Sequence, residues 1–218
     1  MNEMTSPHKA VIDALLDKYG RTYCDELDIP IADNTASPLS RWLCASILFS
    51  ARIGAAQALD AAAALADAGW TTPEKLKDAT WKERVEVLNK NGYARYDEST
   101  SRMLGDTAEH LIETYDGDLR TLRDKADGDQ ARMRTALKVF KGLGDVGVDI
   151  FFREVQTVWG ELYPFADKKS LDAAKELGLP HTAQGLAKHV DRRDYPRLVT
   201  SLVRTSLDKS FDEIRKTR

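Results

Sequence analysis

The chain has 218 residues, 42% hydrophobic and 31% charged, enough for one large domain or two small lobes whose core needs no covalent staple. No apolar run approaches the length of a membrane span and no signal peptide precedes the first helical pattern, so a soluble cytoplasmic protein is expected. The formal net charge of −3 weighs slightly against nucleic acid as a partner, since phosphate binding usually leaves a basic footprint.

Apolar positions recur at helical spacing throughout. Val11, Leu15, Leu16 and Tyr19 make the first stripe, with Ser6-Pro7 as a start and Gly20 as a stop. Residues 21–37, holding Pro30 and Asn34, read as a loop. Pro38 to Ala51 predicts a strongly apolar helix and Ala55 to Ala68 a second, ended by Gly69. Thr72-Pro73 opens a short one. Thr80-Trp81-Lys82-Glu83 has the form of a capping box, and Asn91-Gly92 closes the helix it begins. Asp97 to Tyr115 predicts a long amphipathic helix, broken at Asp116-Gly117. A short helix over Leu119 to Lys125 and another starting at Gly128-Asp129 lead to Phe140-Lys141-Gly142-Leu143-Gly144-Asp145-Val146-Gly147. Helices follow over Asp145 to Trp159 and from Asp167 to Leu177, with two or three more to the end. From Lys188 the chain is basic, through Arg192, Arg193, Arg197, Arg204, Lys209, Arg215, Lys216 and Arg218.

No segment alternates with period two, so the fold class is all-α, with many short helices set by frequent Gly and Pro. Cys24 and Cys44 are too few for a four-ligand metal site and read as reduced thiols. His8, His110, His181 and His189 show no metal-ligand spacing. Trp42, Trp70, Trp81 and Trp159 read as core or half-core anchors.

Two glycines one residue apart between helices make a tight bend whose backbone N–H groups can point outward together. At a helix N-terminus such a cluster suits an anion, usually phosphate. Asp167, about twenty residues on, opens the next helix, where a carboxylate can cap or catalyse. Each feature has a plain alternative. Gly142-Leu143-Gly144 also fits an ordinary helix–helix turn, Arg52 a surface cation and Tyr93 a packing residue. Lys168 and Lys169 fit a solvated first turn, although cations are unfavourable at that helix end.

The order of these parts resembles the helix-hairpin-helix DNA glycosylase superfamily, endonuclease III-like, over roughly residues 38–180. Leu48-Phe49-Ser50-Ala51-Arg52 is similar to that family's Leu-Ser-Ala-Gln helix end. Lys90-Asn91-Gly92-Tyr93 is similar to its Ile-Gly-Leu/Phe-Tyr turn, and Tyr115-Asp116-Gly117 to its His-Asn/Gly-Gly turn. Phe140 to Gly144 is similar to its Leu-Pro-Gly-Val-Gly hairpin, and Phe165-Ala166-Asp167 to its Val-Asp segment. The chain departs from the pattern in four places, one of them an insertion-like segment over Asp124 to Arg132 before the hairpin. Val146 stands where bifunctional members carry a lysine, so no Schiff base forms there. The four iron–sulfur cysteines are missing. Asp145 stands where a basic or polar residue is common.

The resemblance implies two lobes: a barrel-like helical lobe at 38–130, and a second from 1–37 plus 131–218. The second holds the helix-hairpin-helix (131–160), Asp167 and the basic tail. It implies a monomeric base-excision-repair protein on double-stranded DNA, a monofunctional N-glycosylase removing a damaged or mispaired base. Asp167 is its expected catalytic carboxylate. Lys141, Gly142, Leu143 and Gly144, with Lys168 and Lys169, are expected at the DNA backbone, and Arg52 and Tyr93 at the gap left by a flipped base. No cofactor is expected, save a monovalent cation at the hairpin carbonyls. Two rivals are a helix-hairpin-helix module that binds DNA without chemistry, and an all-α interaction protein with no nucleic-acid role.

Overall fold

The computed structural model describes residues 7–216; Ser6 and Arg218, named above, lie outside them. Every regular element among the described residues is helical. In chain order the helices are α1 (Pro7–Tyr19), α2 (Tyr23–Glu26), α3 (Ala36–Ser50), α4 (Ala55–Asp67), α5 (Pro73–Asp78), α6 (Trp81–Lys90) and α7 (Asp97–Tyr115). Then come α8 (Leu119–Lys125), α9 (Gln130–Leu137), α10 (Asp145–Val155), α11 (Lys168–Glu176), α12 (Ala183–Leu186), α13 (Tyr195–Asp208) and α14 (Phe211–Lys216).

Local chemistry sets these limits. Thr80 Oγ1 accepts from the Glu83 amide, and the Thr80 amide returns a 2.7 Å bond to Glu83 Oε2, so the capping box forms as its sequence predicts. Asp118, Asp129 and Thr182 each accept a first-turn N–H of the helix they open. Asp116, in the left-handed region at φ 55°, ends α7. The predicted loop over 21–37 holds α2 and a 3-10 turn at Ile31–Asp33. There the Thr22 amide donates to Asp25 Oδ2 and the Asp25 amide to Thr22 Oγ1. That reciprocal cap starts a helix too short to show periodicity.

The chain forms two compact units. One is 27–161; the other joins the N-terminal segment, through Glu26, to the chain from Leu162 onward. In the 27–161 unit, Leu48, Ala61, Leu65, Leu88, Leu104 and Ala108 form a buried cluster among α3, α4, α6 and α7. Arg84, buried, donates to the carbonyls of Ser101, Leu76 and Ala79, tying α5 and α7 to α6. In the other unit, Val11 and Leu15 of α1 meet Ala173 and Leu177 of α11 and Leu198 and Leu202 of α13.

The boundaries differ from the predicted ones. Residues 131–160, expected with the termini, belong to the 27–161 unit. The cause is the apolar face of α10: Val148, Phe151, Phe152 and Val155 are all fully buried. Against that helix the buried Trp42 indole of α3 donates to the Phe151 carbonyl at 3.0 Å. Trp42 and Trp159 are core anchors as expected. Trp81 is instead 40% exposed, with its indole N–H on the Glu98 carbonyl and Arg102 over its ring.

Candidate functional site

The bend between α9 and α10 is a β-turn. The Leu143 amide donates to the Phe140 carbonyl at 3.1 Å, and Gly142, third in the turn, takes φ +86°. A type II turn demands a residue of that freedom there. Leu143 is buried and its amide closes the turn, so neither its side chain nor its N–H is offered to a ligand. Gly144 then opens α10 from an extended conformation, with no side chain to cap its first turn. The first amides of α10 therefore carry the positive end of the helix with no side-chain cap of their own.

Beside the turn lies an open pocket of about 410 Å³. Ile47, Ser50 and Arg52 come to it from α3 and its exit, Tyr96 and Met103 from the start of α7, and Gly142 from the turn. Packing fixes the junction. Ser50 Oγ donates to the Ile47 carbonyl at 2.8 Å and to the Gly142 carbonyl at 3.1 Å. A Cβ on Gly142 would stand 2.7 Å from Met103 Sδ. Two of the residues predicted from the sequence, Arg52 and Gly142, thus line one pocket.

Charge around the turn is largely compensated. Lys141 Nζ pairs with Asp106 of α7 at 2.7 Å, which raises the lysine above its ordinary value. Lys138 Nζ pairs with Asp145 at 2.9 Å and, with Arg134 nearby, holds that carboxyl below its ordinary value. Arg134 also reaches Asp149. Asp145 is therefore not an unopposed negative charge at the bend. Val146, in the place where a lysine would be needed for Schiff-base chemistry, is 63% exposed.

Asp167, Lys168 and Lys169 belong to the other unit. Asp167 is buried and caps α11, with Oδ1 accepting the Ser170 amide at 2.8 Å. The Ser170 hydroxyl returns a bond to the Asp167 carbonyl at 2.8 Å. Lys168 and Lys169 are exposed, and Lys168 pairs with Asp172 one turn on at 2.6 Å.

Tyr93 is not placed for a gap-filling role. Its ring is buried in the 27–161 core and its hydroxyl donates to the Leu48 carbonyl at 3.1 Å. The tyrosine at the pocket is Tyr96, which the sequence reading missed, along with Met103 and Asp106. Their signal is spacing: Tyr96 stands just before α7, and 99, 103 and 106 recur every three to four residues along one face of that helix. Cys44 is no nucleophile, since burial pushes its thiol up to about 12.

No protein-family model matches the chain, and no curated protein matches it in sequence. Among solved structures it is similar to a trapped endonuclease III–DNA covalent intermediate, an estranged-adenine complex. That similarity is 16% in identity with a TM-score of 0.47, over 75% of this chain and 71% of that one. It is too weak to fix the fold or the site, both of which rest on this chain's own geometry.

Proposed function

We propose that the protein is a DNA-binding base-excision protein, a monofunctional N-glycosylase. The observation that carries this reading is the Gly142–Gly144 bend, which starts α10 without a side-chain cap beside the pocket that holds Arg52. The bend's amides receive a backbone phosphate. Arg52 enters the space left by the flipped base, whose unstacking costs roughly a few kcal/mol. Asp167 supplies the carboxylate. As the N-glycosidic bond lengthens, the sugar becomes positive. A fixed carboxylate stabilises that charge and orients the water that attacks the sugar carbon, taking its proton. Val146 offers no amine, so base release is not followed by strand cleavage through a Schiff base at that position.

The test is Asp167→Asn. Asn caps a helix as well as Asp does, so folding stays close to wild type while the negative charge is lost. Base release from a panel of damaged and mispaired duplexes should fall at least about a hundredfold. Unaltered release by the variant removes Asp167 from the mechanism.

A second reading, a module that binds DNA without chemistry, is favoured by one observation. The two lysines at the bend are both engaged by carboxylates, Asp106 and Asp145. It predicts salt-sensitive duplex binding and no release from any lesion.

A further inference from the structure

We infer that His8 and His189 form a two-imidazole site for a divalent transition ion, with Zn²⁺ the ion whose geometry fits. The inference concerns the unit of the two termini alone and stands apart from the glycosylase reading.

The two residues are far apart in the chain, and their spacing shows no ligand pattern. The fold sets their rings 5.1 Å apart, centre to centre, with the planes at 90°. Two imidazoles that share one tetrahedral zinc stand at this separation. Zn–N bonds of about 2.0–2.1 Å put the metal about 3.2 Å from each ring centre, and the tetrahedral angle then spaces the centres about 5 Å apart. Neither ring has a hydrogen bond or an ion pair among the described residues, so their nitrogens are left for a ligand. His110 contrasts with them: its Nδ1 meets Thr114 Oγ1 at 3.2 Å and its ring packs on Phe140.

One core holds both backbones. His8 lies in the first turn of α1, whose Val11 and Ile12 are buried in the cluster that also takes Leu186. The His189 amide donates to the Leu186 carbonyl at 3.0 Å in the turn after α12, and Val190 packs on the same cluster. A metal therefore finds its two ligands already gathered, and little chain ordering opposes binding. His189 is exposed and His8 half-buried, so an ion reaches both from solvent. Local charge does not forbid it: Lys9 is paired with Asp13 at 2.8 Å, and Lys188 and Asp191 flank His189 with opposite signs. Imidazole nitrogen suits Zn²⁺, Ni²⁺ and Cu²⁺, whereas Mg²⁺ and Ca²⁺ demand oxygen. No group of three or more ligating side chains occurs among the described residues, so the chain supplies two donors and water completes the shell. Such an ion exchanges freely. While bound, it clips the start of α1 to the turn after α12.

Calorimetric titration of the full chain, free of any histidine tag, with zinc chloride tests the site. Zn²⁺ should bind one to one and raise the thermal midpoint of unfolding, since it binds the folded state; Mg²⁺ should do neither. His8→Asn and His189→Asn should each abolish both effects, and His181→Asn, at an exposed histidine outside the pair, should keep them. Lowering the pH through the ordinary imidazole value, about 6.5, should release the metal as protons take the nitrogens. In NMR spectra of the wild-type chain the ring signals of His8 and His189 should shift together on adding Zn²⁺, a readout that needs no variant to fold. Absence of saturable one-to-one binding overturns the inference, as does binding that survives either substitution, Mg²⁺ that binds as tightly as Zn²⁺, or zinc that leaves either ring signal in place.

Discussion

The two glycines of the bend look alike in the sequence and differ in what holds them. Gly142 is required by the fold: its φ is +86°, and a Cβ would meet Met103 Sδ at 2.7 Å and Ile47 Cγ2 at 3.1 Å. Gly142→Ala should cost about 1–3 kcal/mol in denaturant unfolding. Gly144 has φ −82° and nothing within 4 Å of a built Cβ. Nothing within the chain demands a glycine there, whereas close approach of a phosphate to the backbone would. Gly144→Ala should therefore unfold within about 0.5 kcal/mol of wild type yet bind duplex markedly more weakly in fluorescence anisotropy. Unchanged binding would remove the bend from the DNA interface. The contrast marks what a sequence conveys at this scale. Residue types that break or cap helices were legible, as Asp167 and Thr80 were. Tyr93 was misread because a turn motif says nothing of which way a ring packs, and only the core contact with Leu48 settles it.

At the scale of elements, helix limits were legible because caps and stops act within four residues. The long α7 matches its predicted span from Asp97 to Tyr115. What pairs with what was not, because the apolar faces of α3 and α10 are more than ninety residues apart and either could pack elsewhere. Their union by Trp42 and Phe151 moved the hairpin helices into the 27–161 unit. Within the hairpin, Lys138 at the end of α9 holds Asp145 at the start of α10. The ammonium lowers the Asp145 carboxyl in the folded protein, so the pair contributes above the ordinary carboxyl value and is lost as pH falls through the lowered one. Both groups are exposed and the contribution at neutral pH is small. A carboxylate titration followed by NMR should place Asp145 below about 3.9, and Lys138→Gln should return it toward that value. A midpoint that ignores the substitution would show that the ion pair does not persist in solution.

Over the whole chain, basic and acidic residues are not evenly spread. Between 27 and 161 acidic side chains outnumber basic ones, and the basic run from Lys188 belongs to the other unit. A single net charge averages over this, while the basic run from Lys188 is plain in the sequence; what the sequence does not show is that Lys141, expected at the DNA backbone, is engaged by a carboxylate. Bound to Asp106 at 2.7 Å, Lys141 gives a phosphate only what remains after that carboxylate lets go. The pair is open to solvent, and such pairs are worth about 0–1 kcal/mol, so DNA can displace it. Asp106 then acts as a built-in competitor for the phosphate. Asp106→Asn removes the competitor and keeps the side chain's size. Duplex affinity at low salt should rise several-fold, and the slope of log affinity against log salt should steepen by about 0.9, one added phosphate contact. On the Asp106→Asn background, Lys141→Gln should abolish that gain and flatten the slope by a similar amount. If Asp106→Asn changes neither affinity nor slope, Lys141 makes no phosphate contact, and at the bend the backbone amides alone meet the phosphate.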